Sequence, residues 1–277
     1  DDAMTRRMAL GAMGVGFAMA LRPVQASTII TDGEGIETAD VKFPVADGLS
    51  PAFVAHPKGK GKHASVLLVS EIFGLHEHIR DLARRLAKAG YAVIAPDYFY
   101  RAGDPSKLTD FAEIRKIVGK ETLNLQLSDS DSAIAWLGKQ SFADISRLGV
   151  TGFCWGGSVT WMMATHSPPV RAGVAWYGGL RRPASATDNR PYPLDAASAI
   201  KAPVLGLYGA LDKGIPVADV EAMRAALASM GNKNCELVVY PDADHGFNAD
   251  YRPSYNEKDA KDAWAKMLAW FKAHGVV

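Results

Sequence analysis

Apolar residues follow two different spacings along this chain, and each spacing predicts one kind of secondary structure. Short runs that are mostly apolar predict strands at residues 41–45, 52–56, 64–70, 91–95, 147–151, 171–177, 202–209 and 236–240. Apolar residues that recur every three or four positions predict helices, marked by Ile79, Leu82, Ala83 and Leu86, by the stretches 121–139 and 158–165, by Val217, Val220, Met223, Leu227 and Met230, and by Trp264, Met267, Leu268 and Phe271. Gly90 and Gly231 follow two of these stripes, where glycine commonly ends a helix.

The order of these elements predicts a fold class. We expect the first two strands to pair antiparallel, and strands alternate with helices after them. This alternation predicts an α/β protein whose mostly parallel central sheet carries helices on both faces. No fixed repeat and no low-complexity linker divides the chain, so residues 27–277 are expected to form a single domain. A length of 277 residues, 48% of them hydrophobic, suits one large domain of this class.

The balance of charges makes some classes of partner poor candidates. The chain has 31 basic and 30 acidic residues, which gives a net charge of +1, and it has neither a basic stripe nor an acidic tail. Nucleic acids and anionic membranes are therefore poor partners for it. We expect a small-molecule substrate instead.

A glycine-rich turn between a predicted strand and a predicted helix holds the first candidate for catalysis. Gly152-Phe153-Cys154-Trp155-Gly156 matches the G-x-[S/C]-x-G pattern, in which the turn is too sharp for side chains on either side of the nucleophile. Cys154 would then be exposed above the sheet, and the amide of Trp155 would point at a developing oxyanion from the helix N-terminus. The plainer interpretation is a buried cysteine in a tight turn.

Two later residues favour the catalytic interpretation. Asp212 follows the strand predicted at 202–209, and His245 lies in the loop after the strand predicted at 236–240. Alone, Asp212 is equally compatible with a helix N-cap, and His245 with an ordinary loop histidine. Together with Cys154 they occur in the order nucleophile, acid, histidine that α/β hydrolases use, which predicts a Cys-His-Asp triad.

Several further segments extend this match. They are Glu71-Ile72-Phe73-Gly74-Leu75, His78-Ile79-Arg80-Asp81, Gly90-Tyr91-Ala92-Val93-Ile94-Ala95-Pro96-Asp97, Gly209-Ala210-Leu211-Asp212 and His245-Gly246-Phe247. With the turn at Cys154, they make most of the chain after about residue 40 resemble the dienelactone hydrolase (carboxymethylenebutenolidase-like) family, the cysteine-dependent branch of the α/β hydrolases. The resemblance implies an α/β-hydrolase fold and a carboxylic ester hydrolase that cleaves a small ester or lactone through a thioester acyl-enzyme.

The resemblance also implies roles for residues near the nucleophile. In the family, a glutamate at the position of Glu71 contacts the resting cysteine and helps to form the thiolate, whereas Glu71 alone could be an ordinary solvated or ion-paired loop residue. The loop after the strand predicted at 64–70 supplies the other oxyanion donor in this fold, so the amides of Ile72 and Trp155 are the candidates.

Two arginines are candidates for binding a substrate carboxylate, since family substrates are small carboxylated lactones and arginine binds carboxylates bidentately. Arg101 lies where the family places one such arginine. The family's second arginine comes four residues after the histidine, where this chain has Ala249, and Arg252 is three residues further on. This departure leaves open that the segment 247–252 serves a different acyl group.

The chain offers no evident metal or cofactor site. His76 and His78 have no third ligand nearby in sequence, and we expect them to begin a helix instead. Of the two cysteines, Cys154 is the expected reactive thiol and Cys235 a small core residue. No cofactor and no metal are therefore predicted.

The N-terminus predicts an export signal. Arg6-Arg7 is followed by a mild apolar stretch, residues 10–21, and then by Pro23-Val24-Gln25-Ala26 with a small residue at the expected cleavage point. The apolar stretch is shorter than the roughly 20 residues that span a membrane. Residues 1–26 thus predict a twin-arginine signal, recognition of the precursor by twin-arginine export machinery, and a periplasmic or secreted enzyme. The alternative is an N-terminal arm that stays attached to a cytoplasmic protein.

Other functions remain open on the residues alone. Within hydrolases, a broad small-ester carboxylesterase is the alternative. A non-catalytic binding protein on the same fold would not need an intact triad. A thiol redox protein would use Cys154, but no resolving cysteine lies near it in sequence and the Asp–His pair has no redox purpose.

Overall fold

The structure is a computed structural model, and it describes residues 29–166, 170–184, 186 and 190–277. The predicted export signal, residues 1–26, lies outside the described residues. The first described residues lie close to the helix 77–88 and the loop 245–252, because the Ile29 amide donates to Asp250 at 3.0 Å and the Thr31 amide donates to Asp81 at 2.6 Å.

Eight strands form one sheet. They are β1 (Ile36–Val45), β2 (Gly48–Pro57), β3 (His63–Val69), β4 (Ala92–Pro96), β5 (Ala143–Phe153), β6 (Val170–Trp176), β7 (Val204–Gly209) and β8 (Glu236–Tyr240). Their order across the sheet is β1-β2-β4-β3-β5-β6-β7-β8. β1 pairs antiparallel with β2, and β2 antiparallel with β4, whereas every later pair is parallel. The predicted antiparallel opening pair and mostly parallel sheet are confirmed.

The described residues also form six α-helices. They are α1 (Glu77–Lys88), α2 (Phe111–Val118), α3 (Leu123–Leu137), α4 (Trp155–His166), α5 (Val217–Ser229) and α6 (Glu257–Ala273). Short 3-10 turns cover Pro105–Lys107 and Ala197–Ala199. Within the described part of the chain, no helix is both long and apolar enough to cross a membrane.

Alternation along the central strands divides the core between the two faces of the sheet. On β3, Val66 and Leu68 pack with α1 and α6, while Leu67 and Val69 pack with α3 and α4. Because successive side chains of a strand point to opposite faces, a strand that is apolar throughout must be covered on both sides. The structure therefore has the α/β-hydrolase architecture that the sequence predicts, with helices on both faces.

Two local features differ from the expectations. The helix α2 was not predicted, because only Ile114 of its eight residues is buried and no apolar stripe results; Asp110 begins the helix by accepting from the amide of Ala112. The expected strand at 147–151 lies within β5, which extends from Ala143 to Phe153. The first half of β5 is only partly buried, so its residues do not form an apolar run.

Candidate active site

Cys154 lies between the end of β5 and the start of α4, in a conformation that few residues other than glycine adopt. Its φ is 56°, in the left-handed region. A Cβ at Gly152 would collide with the carbonyl of Gly156, and a Cβ at Gly156 would collide with the carbonyl of Val69. The two glycines of the motif are therefore required by close backbone contact, and the strained turn holds the thiol at the carboxyl edge of the sheet.

Asp212, His245 and Cys154 form a continuous hydrogen-bonded chain. His245 Nδ1 lies 2.6 Å from Asp212 Oδ2, and His245 Nε2 lies 3.3 Å from Cys154 Sγ. The second oxygen of Asp212 accepts from the amides of Gly214 and Ile215, at 2.8 and 3.0 Å, which fixes the carboxylate. The fold thus brings together the three residues that the sequence analysis singled out, from the ends of three different strands.

The electrostatic environment of His245 favours the imidazolium form. Burial alone would lower the pKa of His245, but the charge of Cys154 and the hydrogen bonds to Asp212 and Cys154 raise it to about 10. A histidine stabilised in this way can take the thiol proton and keep it. The arrangement can therefore form a thiolate–imidazolium pair.

Glu71 lies beside Cys154 because of the strand register. Val69 of β3 pairs with Gly152 of β5, so the residues two positions further on, Glu71 and Cys154, come level with each other. Glu71 is completely buried, and its Oε2 accepts from the Tyr251 hydroxyl at 2.6 Å and lies 3.0 Å from His76 Nε2. Its other oxygen has no hydrogen-bond partner within the part of the chain that the structure describes.

The Glu71 carboxylate stays charged despite this burial. Burial alone would raise the pKa of Glu71, but the hydrogen bond and charge of His76, with the charges of His78 and Arg252, lower it to about 2. The resemblance implies that Glu71 contacts the resting thiol. In this structure its hydrogen bonds go to His76 and Tyr251 instead, among the described residues.

The two candidate oxyanion donors come from the loop after β3 and from the first turn of α4. Ile72 comes three residues after the end of β3, the neighbour of β5, and Trp155 is the first residue of α4. The Trp155 ring packs on Tyr98 and Phe99, with centroids 5.5 and 4.9 Å away. This packing fixes the first turn of α4 from which the Trp155 amide projects.

Arg252 belongs to the same cluster. Its side chain is largely buried, it lies against the backbone of Gly246 directly after His245, and its guanidinium carbon is 6.0 Å from the centre of the Phe73 ring. Burial alone would lower the pKa of Arg252, but the nearby Tyr251, Glu71 and Cys154 raise it. The structure therefore brings a guanidinium close to Cys154 from a different position than the family pattern implies.

Arg101 has a different environment from the one expected. Its guanidinium donates two hydrogen bonds to Asp47 at 2.7 Å, and two to Asp129 at 2.6 and 3.0 Å. These contacts join the β1–β2 turn to α3 and use four of its five N–H donors. The expectation that Arg101 binds a substrate carboxylate does not fit this geometry, because two protein carboxylates already occupy the guanidinium.

The sequence analysis missed two side chains of the site. His76 was expected only to begin a helix; it is the N-cap residue of α1, and its side chain turns back to Glu71. Tyr251 carries no motif, and only the folding of the loop 245–252 over β3 brings its hydroxyl to Glu71. The Nδ1 atom of His78 lies 3.1 Å from Asp250 Oδ1. Within the described residues, no three His, Cys, Asp or Glu side chains are arranged to hold a metal ion.

Cys235 has no part in this site. It precedes β8, is half-buried in the cluster of apolar residues around α5, and burial raises the pKa of its thiol. Cys154 and Cys235 are both free.

Comparison with known proteins gives one family. The family model described as "Dienelactone hydrolase family" matches residues 50–275. A protein of Methylorubrum extorquens named "Putative carboxymethylenebutenolidase" is 47% identical over 276 residues, covering 99% of this chain and 94% of that protein. A protein of the same name from Escherichia coli K12 is 44% identical over 262 residues, covering 94% and 96% of the two chains.

A solved structure agrees with these relatives. The crystal structure described as a "Putative Dienelactone Hydrolase" from Klebsiella pneumoniae superimposes with a TM-score of 0.82 at 47% sequence identity. The match covers 86% of this chain and 98% of that one. The similarity therefore extends over nearly the whole of the solved protein.

Proposed function

This chain belongs to the dienelactone hydrolase family, and we propose that it hydrolyses a small ester or lactone through a thioester formed on Cys154. The observation that carries this proposal is the hydrogen-bonded chain from Asp212 through His245 to the strained Cys154. A binding protein would gain nothing from this strain, and a thiol redox protein would not need a carboxylate to orient a histidine. A hydrolase uses both.

The first half of the reaction acylates the thiol. Cys154 transfers its proton to Nε2 of His245, and the thiolate attacks the carbonyl carbon of the substrate. Asp212 accepts a hydrogen bond from Nδ1–H of His245 and so keeps Nε2 facing the sulfur. The tetrahedral intermediate then collapses, the carbon–oxygen bond to the leaving group breaks, and the leaving oxygen takes the proton from His245. A thioester on Cys154 remains.

The second half releases the acid. Neutral His245 takes a proton from water, the resulting hydroxide attacks the thioester, and collapse of the second intermediate expels the Cys154 thiolate. In both halves the amides of Ile72 and Trp155 donate hydrogen bonds to the oxyanion. One such donor contributes roughly 10²–10³ in turnover in related acyl transfers.

The substrate class follows from the charges around the thiol. Arg252 is the guanidinium close to Cys154, so we propose that it binds a carboxylate on the acyl part, as the names of the relatives suggest for a carboxylated lactone. The engagement of Arg101 with Asp47 and Asp129, together with Ala249 at the family's arginine position, leaves fewer cations for such a substrate. These two features favour a second candidate, a carboxylesterase that accepts small neutral esters.

Substitution of each cysteine, together with mass spectrometry of the acylated enzyme, tests the mechanism directly. We expect Cys154→Ala to abolish hydrolysis of dienelactones and of short p-nitrophenyl esters, and Cys235→Ala to retain nearly all activity. Mass spectrometry during turnover of a slow ester should find the acyl mass on the peptide that contains Cys154. Hydrolysis by the Cys154→Ala protein at a rate close to wild type would disprove the proposal.

We also propose that residues 1–26 direct the folded precursor to the twin-arginine export machinery, which gives a periplasmic or secreted enzyme. The support is the Arg6-Arg7 pair ahead of an apolar stretch and a small residue at Ala26. Replacing the pair by two lysines should hold the protein in the cytoplasm of its host, and the exported form should begin near Ser27. Normal export of the double-lysine variant would exclude this route.

A further inference from the structure

Tyr177 adopts a backbone conformation that is rare for a tyrosine. Its φ is 37°, and Tyr177 and Cys154 are the two non-glycine residues with positive φ among the described residues. A bulky side chain in this region is strained, and such residues cluster at functional sites. The strain therefore raises the question of what Tyr177 does.

The sheet places Tyr177 directly beside the nucleophile. Phe153 of β5 pairs with Trp176 of β6, so the next residues, Cys154 and Tyr177, come level at the carboxyl edge. The Tyr177 amide is held by the carbonyl of Leu207 at 2.7 Å. Glu71 lies on the other side of Cys154, after β3, so the thiol lies between Glu71 and Tyr177 along the sheet edge.

The Tyr177 hydroxyl finds no hydrogen-bond acceptor among the described residues, although the side chain is completely buried. The Asn248 amide can donate to its oxygen but cannot accept its proton. On the neighbouring strand, the buried hydroxyl of Tyr208 accepts from Trp161 Nε1 at 3.0 Å. A buried donor without an acceptor is destabilising. A hydroxyl that is left without an acceptor in the free protein is well suited to donate to a ligand.

Tyr177 lies among side chains that take part in the proposed reaction. Its ring meets the His245 ring edge-on, with the centroids 5.3 Å apart. Burial, the charge of Glu71 and the charge of Cys154 raise the pKa of Tyr177 well above its usual value, with Arg252 and the Asn248 amide opposing them. The hydroxyl therefore remains protonated and acts as a donor.

We propose that the Tyr177 hydroxyl donates a hydrogen bond to the leaving oxygen of the bound ester or lactone, which makes Tyr177 a further catalytic residue. The inference rests on the proposed function. The carbonyl oxygen is directed to the Ile72 and Trp155 amides, while the leaving oxygen must face His245, since His245 protonates it. Tyr177 contacts the His245 ring and is thus on the side of the leaving oxygen.

The hydrogen bond stabilises charge and transfers no proton. As the carbon–oxygen bond breaks, negative charge grows on the leaving oxygen; the Tyr177 hydroxyl stabilises it, and the proton that the oxygen finally takes comes from His245. An alkoxide needs this stabilisation much more than a p-nitrophenoxide, which delocalises its charge into the ring. The contribution of Tyr177 should therefore depend on the leaving group.

Tyr177→Phe tests this proposal, because it keeps the ring against His245 and removes only the hydroxyl. With one acyl group, we expect kcat/KM to fall about 10- to 100-fold for the ethyl ester and less than about 3-fold for the p-nitrophenyl ester. The rate of Cys154 alkylation by iodoacetamide should stay at the wild-type value. The Tm of the Tyr177→Phe protein should equal or exceed that of wild type, because an unsatisfied buried hydroxyl is lost.

Tyr208→Phe is the matched control. It leaves Trp161 without its partner, so we expect a lower Tm and an unchanged dependence on the leaving group. Equal losses on the ethyl and p-nitrophenyl esters in Tyr177→Phe, or a fall in Tm like that of Tyr208→Phe, would overturn the proposal and assign the hydroxyl a structural role. A wild-type protein that hydrolyses neither ester would end the proposed function itself, which is a distinguishable result.

Discussion

His245 Nε2 lies 3.3 Å from Cys154 Sγ, although 91 positions separate the two residues in the chain. The parallel sheet makes this contact, because the loops that follow β5 and β8 open at the same edge. Asp212 reaches His245 from the loop after β7, which lies between β6 and β8 in the sheet. The reactivity of the thiol is therefore set by the packing of the whole sheet.

Asp212→Asn should separate the catalytic role of Asp212 from its structural role. An amide oxygen at Oδ1 can still accept from Gly214 and Ile215, so the loop is kept. An NH₂ group in place of Oδ2 cannot accept a hydrogen bond from Nδ1–H of His245. It favours the tautomer that carries the proton on Nε2. We expect kcat to fall by about 10³–10⁴ with little change in Tm.

Asp212→Ala provides the comparison for this prediction. It removes the acceptor of both loop amides as well, so activity and Tm should fall together. Turnover of the Asp212→Asn protein within tenfold of wild type would show that the carboxylate does not orient His245.

Glu71→Gln should lower turnover on anionic and neutral esters alike if Glu71 promotes thiolate formation on Cys154, as the family resemblance implies, and does not bind the substrate. Tyr251→Phe keeps the charge but removes one hydrogen bond to Glu71, so it should have the smaller effect. The measurement is kcat/KM on an ester pair of equal size. A loss confined to the anionic ester would instead indicate that Glu71 acts through Arg252.

Arg101→Ala should destabilise the protein without changing its preference for charged substrates. The substitution leaves buried Asp129 unpaired, and we expect a loss of roughly 2–4 kcal/mol in the free energy of unfolding. Asp47→Ala is the control, because that side chain is 57% exposed and its loss should destabilise the protein much less.

Arg252→Lys should change the substrate preference instead. Lysine keeps the charge but lacks the planar fork, so kcat/KM for an anionic ester should fall about 10-fold or more relative to a neutral ester. If Arg101→Ala lowers this ratio and Arg252→Lys does not, the two arginines have been assigned the wrong way round.

Glu121 should make stability depend on pH. Burial and the charge of Asp129 raise the pKa of Glu121 from 4.5 to about 8. The fold therefore favours the protonated form of Glu121. The contribution of this group to the free energy of unfolding is fully present below pH 4.5 and is lost as the pH rises towards 8. When urea unfolding is measured at several pH values, the free energy of unfolding of Glu121→Gln should fall less over this range than that of wild type. Glu113→Gln changes an exposed side chain, so its pH dependence of unfolding should follow that of wild type. A pH dependence of Glu121→Gln parallel to that of wild type would contradict the raised pKa of Glu121.

The sequence predicted most of the fold because the central strands are buried on both faces. An apolar run such as that of β3 can be recognised without knowing its partners, and so can the stripe of α6. The helix α2 escaped notice because it contributes only Ile114 to the interior. An element with one buried residue has no periodic pattern, so only the folded chain reveals it.

The sequence by itself determined the order of strands and helices and the residues that form the chain from Asp212 to Cys154. These follow from local rules, since a sharp turn needs Gly152 and Gly156, and the ends of parallel strands meet at one edge. Only the tertiary structure decided which charged side chains face each other. It paired Arg101 with Asp47 and Asp129 and placed Arg252 near the thiol, and among the described residues it provides no acceptor for the Tyr177 hydroxyl. Such pairings depend on distances between segments that are remote in the chain, and local sequence carries no record of them.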